Sequence, residues 1–423
     1  MKAEKLGIVA DDLTGALDTG VQFSKWGVSS LVSLKESAPA AATCLIVNTD
    51  SRAIPPGQAA EKARRAAQLL RGRLVYKKID STLRGNLGAE ILAVMQTLGL
   101  AKAVVAPSFP ANGRTVRGGN LFVQGVLLEQ TGFARDPRNA ISESHVPSLL
   151  RRQTGESVDL VTIDIVERGY EAVHEAICRS ISRIVVADAE SQQHLAHIAQ
   201  AVVRAEGKWL PVGSAGLAEE LPAALGLAQT AARACEARAA PVIKPGGPIL
   251  VVAGSRNPTT AEQVEEAIKV LKWPVVEPDV EQLADSDTTQ SEIDRLADRT
   301  AGHLVRSGGC MVTTCFTPLQ EDRSAAIAWA LGQATRQSLD RQPVHGLLLT
   351  GGDIALQSCL ALDAEALRPV TEVLPGLPVS LLVGGPWANM SVITKAGGFG
   401  ARNAILLCLQ YFISGTTRSE NEQ

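Results

Sequence analysis

The chain has 423 residues, beyond the roughly 250–300 at which one hydrophobic core stops growing, so two domains are expected. A composition 45% hydrophobic and 20% charged is that of a folded globular chain rather than a disordered one. A formal net charge of −3 gives no general attraction for nucleic acid or anionic membranes, and neither is expected as a partner. The seven cysteines are odd in number and never spaced CxxC, which argues against a zinc site and a disulfide framework. The apolar stretch Leu6–Ala10 is cut off by Asp11 and Asp12, too short for a signal peptide, and no apolar run reaches the 18 or so residues that span a bilayer. A cytoplasmic location is expected.

Short β-rich runs alternate with longer amphipathic segments, the pattern of parallel sheets covered by helices. Strands are expected at 7–10, 44–48, 74–79, 103–106, 158–163, 184–187 and 209–212, with helices between many of them, such as 58–70 and 170–181. Residues 231–247, AARACEARAAPVIKPGG, change character immediately before a strong strand at 249–253, and the domain boundary is placed there, giving domains 1–240 and 241–423. Beyond it, strands are expected at 311–314, 346–350, 379–383 and 392–395, and helices at 260–271, 322–337 and 354–360. The expected fold class is α/β, with two three-layer α/β/α domains built on mostly parallel sheets. The polar tail 415–423 reads as frayed.

Ligands of open α/β sheets collect beyond the carboxyl ends of the strands. After the first strand comes Ala10-Asp11-Asp12-Leu13-Thr14-Gly15, in which an Asp either caps a helix or contacts, and removes a proton from, a polyol. The run Tyr76-Lys77-Lys78-Ile79-Asp80-Ser81-Thr82-Leu83-Arg84 carries consecutive lysines out of an apolar strand. Alternation sends Lys77 and Lys78 to opposite faces and puts Lys78 and Asp80 on one. Arg52 after the second strand, and Arg114 and Arg117 in the loop expected after Pro107, add positive charge at other strand ends. A small anionic substrate is the expected ligand of this half.

The second half is poor in charge and rich in glycine after its strands: Ala253-Gly254-Ser255, Thr350-Gly351-Gly352-Asp353, Gly384-Gly385-Pro386 and Lys395-Ala396-Gly397-Gly398-Phe399-Gly400. Such loops either make tight turns or let backbone N–H groups approach phosphate. Neither a Walker P-loop nor a GxGxxG fingerprint occurs. His194 and His197 read as a solvated pair, Cys310 and Cys315 as core, and Gly213-Ser214-Ala215-Gly216 as a helix start.

The blocks VADDLTGALDTG, NTDSR, YKKIDSTLRGNLGAE, SHVPSLL, VGSAGLA, VVAGSRNPTT, LLLTGGDIA and VITKAGGFG, in this order along nearly the whole chain, resemble the four-carbon acid sugar kinase family, its D-threonate kinase branch above all. The resemblance implies an N-terminal domain for the acid, a C-terminal domain for ATP, an active site in the cleft between them, and phosphorylation of the terminal 4-hydroxyl of D-threonate or D-erythronate. It implies substrate contacts at Asp12, Arg52, Lys78, Ile79, Asp80 and Ser81; the residues themselves add Arg84 as an anion contact, and Asp12 or Asp80 is expected to be the catalytic base. Nucleotide contacts are implied at Ser255, Thr350, Gly351, Gly352, Asp353 and Gly398; the glycine loop itself adds Gly397, and ATP is expected to bind with Mg²⁺ bridging its phosphates. The sequence designates no metal ligands and leaves the assembly state open, a homo-oligomer included. A 3-oxo-tetronate 4-kinase is the rival within the family, and a non-catalytic sensor of nucleotide and sugar acid the rival outside it. A dehydrogenase is weaker still for want of the dinucleotide fingerprint.

Overall fold

The computed structural model describes residues 5–35, 42–135, 141–227, 246–255, 257–317 and 323–415. Residues 231–245 of the expected linker and 416–423 of the polar tail lie outside the described residues. The chain forms two compact units, Met1–Val32 with Ser37–Ala234, and Ser33–Glu36 with Cys235–Gln423.

In the first unit the strands are β1 Leu6–Ala10, β2 Ser30–Ser33, β3 Cys44–Asn48, β4 Leu74–Lys78, β5 Lys102–Ala106, β9 Val158–Val161, β10 Ile184–Ala187 and β11 Trp209–Gly213. They run in the order β2-β3-β1-β4-β11-β5-β10-β9, and from β3 to β9 every neighbouring pair is parallel. Parallel strands have helices on both faces, so their side chains are buried on both sides and the sequence reads as an unbroken apolar run. LGIVA of β1 and IVVA of β10 are buried at every position. The covering helices bury one stripe: Ala59, Ala63, Ala66 and Ala67 of the Pro56–Leu69 helix are buried, and it packs against the Leu87–Leu98 helix. That second helix stops at Gly99, whose left-handed φ of 69° a side chain disfavours.

Alternation along β4 separates the two lysines. Lys77 Nζ lies 2.6 Å from Glu90 Oε2 on the Leu87–Leu98 helix, with side chains 0% and 2% exposed. Ser51 Oγ donates to the other Glu90 oxygen at 2.6 Å, and Lys77 donates to the Lys78 carbonyl at 2.8 Å. Lys77 is thus a satisfied core ion pair, while Lys78 turns to the opposite face.

A small antiparallel sheet of β6 Arg114–Arg117, β7 Asn120–Val123 and β8 Val126–Leu127 replaces the loop expected after Pro107. Its β6–β7 turn is Gly118-Gly119, both with positive φ, a pairing that suits a two-residue hairpin. Asp188, at the end of β10, accepts from the N–H groups of Gly118 (2.7 Å), Gly119 (2.9 Å) and Ile163 (3.1 Å) and ties the hairpin to the main sheet.

In the second unit the strands are β12 Ile249–Ala253, β13 Val275–Val276, β14 Gly309–Thr313, β15 Gly346–Thr350, β16 Ala366–Glu372, β17 Pro378–Val383 and β18 Ser391–Lys395, in the order β13-β14-β12-β15-β18-β17-β16. The first five in that order are parallel, whereas β17 is antiparallel to both neighbours. Strand β16, ALRPVTE, departs from expectation because its Pro, Arg, Thr and Glu hide the strand signal. The helix expected at 322–337 runs instead over Ser324–Arg341. Among the described residues no helix is long and apolar enough to cross a membrane.

Truncating one partner of the Lys77–Glu90 pair strands a charge in the core, so Glu90→Ala is expected to lower stability by about 3–5 kcal/mol in urea denaturation. The double change Lys77→Met with Glu90→Leu, which removes both charges, is expected to recover most of that loss. A double variant as unstable as the single one would contradict this account.

Candidate functional site

Register decides which residues meet. In the first unit Asn48, Ala10 and Lys78 are paired in a row, and Gly213 pairs with both Lys78 and Ala106. The strands therefore end at one level, and the segments that follow, Asp11-Asp12, Thr49–Arg52 and Ile79–Arg84, share one edge.

Arg52 is the centre of that edge. Its Nε lies 2.7 Å from Asp11 Oδ2, its Nη2 is 3.0 Å from Asp11 Oδ1 and 2.7 Å from Asp12 Oδ1, and its Nη1 is 3.8 Å from Asp80 Oδ1. Asp80 also receives Arg84 Nε at 2.7 Å and the Thr82 hydroxyl at 2.5 Å. Burial alone would raise the Asp80 carboxyl, but the charges of Arg84 and Arg52 hold it well below the usual carboxylate range. Asp11 behaves likewise: burial raises it, and Arg52, with Lys77 and Lys78 behind, brings it below its ordinary value.

Asp12 takes the capping role that its position allows. It caps the Leu13–Ser24 helix by accepting from Gly15 N–H at 3.0 Å and also takes the Thr14 hydroxyl, while remaining on the site edge at 13% side-chain exposure. Lys78 donates to the Ile79 carbonyl at 2.8 Å. Its Nζ is so close to Gly15 that a Cβ there would lie 2.7 Å from it and 2.6 Å from Asp12 Oδ1, so glycine keeps the lysine beside Asp12. The Ser81 hydroxyl is buried without a hydrogen-bond partner among the described residues, an atom with capacity for a ligand. Asp12, Arg52, Lys78, Ile79, Asp80, Ser81 and Arg84 thus lie along one strand-end edge. Asp11, which grips Arg52 with both oxygens, is the member that sequence reasoning passed over, although the Asp-Asp pair was its signal. Arg114 is within electrostatic reach of Asp80 and Arg84, and burial draws its guanidinium below the ordinary value. The structure brings it to the cluster, whereas Arg117 pairs with Glu190 at 3.4 Å.

The second unit repeats the logic with different chemistry. Thr313, Ala253, Thr350 and Lys395 pair in a row at the ends of β14, β12, β15 and β18. A Cβ on Gly397 would collide with Ser255 Oγ, and one on Gly351 would come 3.4 Å from the Ser255 backbone nitrogen. Three of the glycine loops therefore converge on Ser255. Gly352 opens the Gly352–Ala361 helix, whose first N–H groups carry the positive end of its dipole. The Thr350 hydroxyl is buried without a partner among the described residues. Ser255, Thr350, Gly351, Gly352, Asp353 and the Gly397-Gly398 loop are thus collected into a cradle suited to phosphate. The fourth loop is elsewhere: Gly384 and Gly385 turn the chain after β17 against residues 362–365, and a Cβ on Gly385 would lie 2.7 Å from the Asp363 carbonyl. The lesser candidates are structural. Ser214 caps the Ala215–Ala224 helix, His194 accepts from the Glu190 N–H, and His197 lies 2.9 Å from the Val166 carbonyl. Among the described residues no group of three or more His, Cys, Asp or Glu is placed to hold a metal.

Residues 6–221 match the sugar-binding N-terminal domain family, and residues 250–405 the nucleotide-binding C-terminal domain family. The chain is 35% identical to a D-threonate kinase of Salmonella typhimurium over 96% of its own length and 98% of the relative's. It is 31% identical to a D-erythronate kinase of Heliobacterium modesticaldum, covering 98% of each, and 29% identical to a 3-oxo-tetronate kinase of Brucella melitensis, over 94% and 93%. A solved Salmonella typhimurium structure shares the fold with a TM-score of 0.74 at 22% identity, over 94% of this chain and 97% of the other.

Because Arg52 holds Asp11 and Asp80 low, their ionised forms stabilise the protein above the unfolded carboxylate pKa of about 4, and that contribution is lost as pH falls through the lowered folded values. Arg52→Met leaves Asp11 buried without its guanidinium. It is expected to cost on the order of 3 kcal/mol near pH 7 and progressively less towards pH 3, read by urea denaturation at each pH. An equal loss at both pH values would show that Arg52 acts by packing and not by charge.

Proposed function

We infer the reaction from one premise: this chain belongs to the four-carbon acid sugar kinase family, and it is a phosphotransferase acting on an alcohol group. Within that class we propose that it transfers the γ-phosphate of ATP to the 4-hydroxyl of D-threonate or D-erythronate. The observation that carries the reading is that one chain pairs a strand-end cluster of carboxylates and cations with a strand-end glycine cradle. The first has the chemistry for a small hydroxy acid, the second for phosphates.

In this proposal the acid's carboxylate is met by Lys78 and by the Nη1 edge of Arg52, since Nε and Nη2 already hold Asp11 and Asp12. Ser81, whose buried hydroxyl is unpartnered, takes a substrate oxygen. Asp12 is the preferred base. It is the most exposed of the three carboxylates, at 13% against 4% for Asp11 and 7% for Asp80. Asp80 is held so low by Arg84 and Arg52 that it is a weak proton acceptor, and its part is to orient the hydroxyl and Arg84. The cradle around Ser255, Thr350 to Asp353, Gly397 and Gly398 takes the phosphates. Phosphoryl transfer asks mainly for positioning and charge neutralisation. A bound Mg²⁺ would supply part of that neutralisation. The relatives named for D-threonate, D-erythronate and 3-oxo-tetronate leave the last as the second reading.

ADP release should be followed with ATP, Mg²⁺ and a panel of D-threonate, D-erythronate, L-threonate and 3-oxo-tetronates. Turnover is expected with a D-tetronate, and its absence across the panel would sink the proposal. Asp12→Asn is expected to lower kcat by about 10²–10⁴-fold, as loss of a general base does. Asp80→Asn is expected to act more on the KM for the acid. If the two effects were reversed, the base assignment would pass to Asp80.

A further inference from the structure

Lys395 closes β18 and is fully buried, yet it stands apart from the other deeply buried lysine. Lys77 faces a carboxylate; among the described residues Lys395 has none within ion-pair distance. Its Nζ donates to the carbonyls of Ala396 and Gly397, each at 2.9 Å, and lies 3.5 Å from Thr260 Oγ1. Thr260 itself donates to the Gly397 carbonyl at 2.9 Å. One turn along the same Pro258–Leu271 helix, Gln263 Nε2 reaches the carbonyls of Phe399 (3.1 Å), Gly400 (3.0 Å) and Ala401 (2.8 Å). Three buried side chains thus draw the carbonyl ends of the 396–401 loop to one side. A peptide whose carbonyl is held on one side turns its N–H end to the other, although the Phe399 N–H is spent on the Ala396 carbonyl at 3.2 Å. Burial pushes the Lys395 ammonium down to about 7, and among the described residues the titratable neighbours acting on it are the thiols of Cys408 and Cys315. A fixed anion nearby is what keeps such an ammonium charged.

We propose that Lys395 is a positioning residue of the nucleotide site, which with Thr260 and Gln263 holds the glycine loop in its phosphate-facing form and places a positive charge behind it. This rests on the nucleotide reading of the second unit and goes beyond it, because Lys395 acts through the loop on the phosphates and leaves the nucleoside alone.

Binding of ATP, ADP and adenosine to the full chain should be measured by calorimetry for the wild type and Lys395→Met, which keeps the side-chain volume and removes the charge. ATP and ADP are expected to weaken about tenfold or more, and adenosine to stay within about twofold. Unchanged ATP affinity overturns the proposal, and so does an equal loss for adenosine, which marks a merely structural role. Should Lys395→Met fail to fold, Thr260→Val removes one tie to the same Gly397 carbonyl. It is expected to weaken ATP about threefold with adenosine unchanged, and no change overturns the frame. A wild-type protein that binds neither ATP nor ADP fails the nucleotide reading itself, an outcome distinct from a wild type that binds and a variant that binds equally well.

Discussion

The constraint on which everything else depends is the common level at which parallel strands end. Pairing Ala10 with Asn48 and Lys78, and Gly213 with Lys78 and Ala106, fixes that level in the first unit. Pairing Ala253 with Thr313 and Thr350, and Thr350 with Lys395, fixes it in the second. A register slip of one residue in β4 would exchange the two lysines, putting Lys77 towards Asp12 and Lys78 against Glu90. The all-or-none character of strand register thus sets the chemistry of the edge. The buried Lys77–Glu90 pair helps to prevent that slip, since a buried charge moved away from its partner is expensive.

Each edge then solves a different electrostatic problem. In the first unit charges of both signs are crowded together, and the solution is mutual neutralisation: Arg52 touches Asp11 and Asp12 and approaches Asp80, and Arg84 completes Asp80. A net of this kind is rigid because moving any member strands another, and rigidity is what a site needs to orient hydroxyls. In the second unit the strand ends carry fewer charged side chains and more glycine. Glycines let the loops approach one another around Ser255, as the collision of a Cβ on Gly397 with Ser255 Oγ makes plain.

The fold was legible where period and composition agreed. Buried parallel strands such as LGIVA and IVVA announce themselves as apolar runs, and the alternation that separates Lys77 from Lys78 follows from strand geometry alone. The elements that escaped are those whose stability is not local. Strand β16 carries Pro369 and Arg368 and is held by its partner β17. The 114–127 hairpin reads as a polar loop because its anchor, Asp188, lies some 70 residues away in sequence. The candidate sites show the same division. Residues directly after strands, Asp12, Arg52, Lys78 to Ser81 and Thr350 to Asp353, could be named from position. Partnerships could not. That Arg52 spends two of its nitrogens on Asp11 and Asp12 and turns the third towards Asp80 follows only from coordinates.

The two deeply buried lysines make the final point about reading charge. Both sit in strands, both are fully covered, and sequence gives no means of ranking them. Lys77 is neutralised inside the protein by Glu90 and has no charge to offer a ligand. Among the described residues Lys395 is solvated by carbonyls and a hydroxyl, which orient an ammonium without cancelling it. Burying a cation without a counter-ion is costly, and that cost is what pushes the Lys395 ammonium down to about 7. On the role proposed for Lys395, a phosphate beyond the end of β18 would supply the negative charge that the described residues do not.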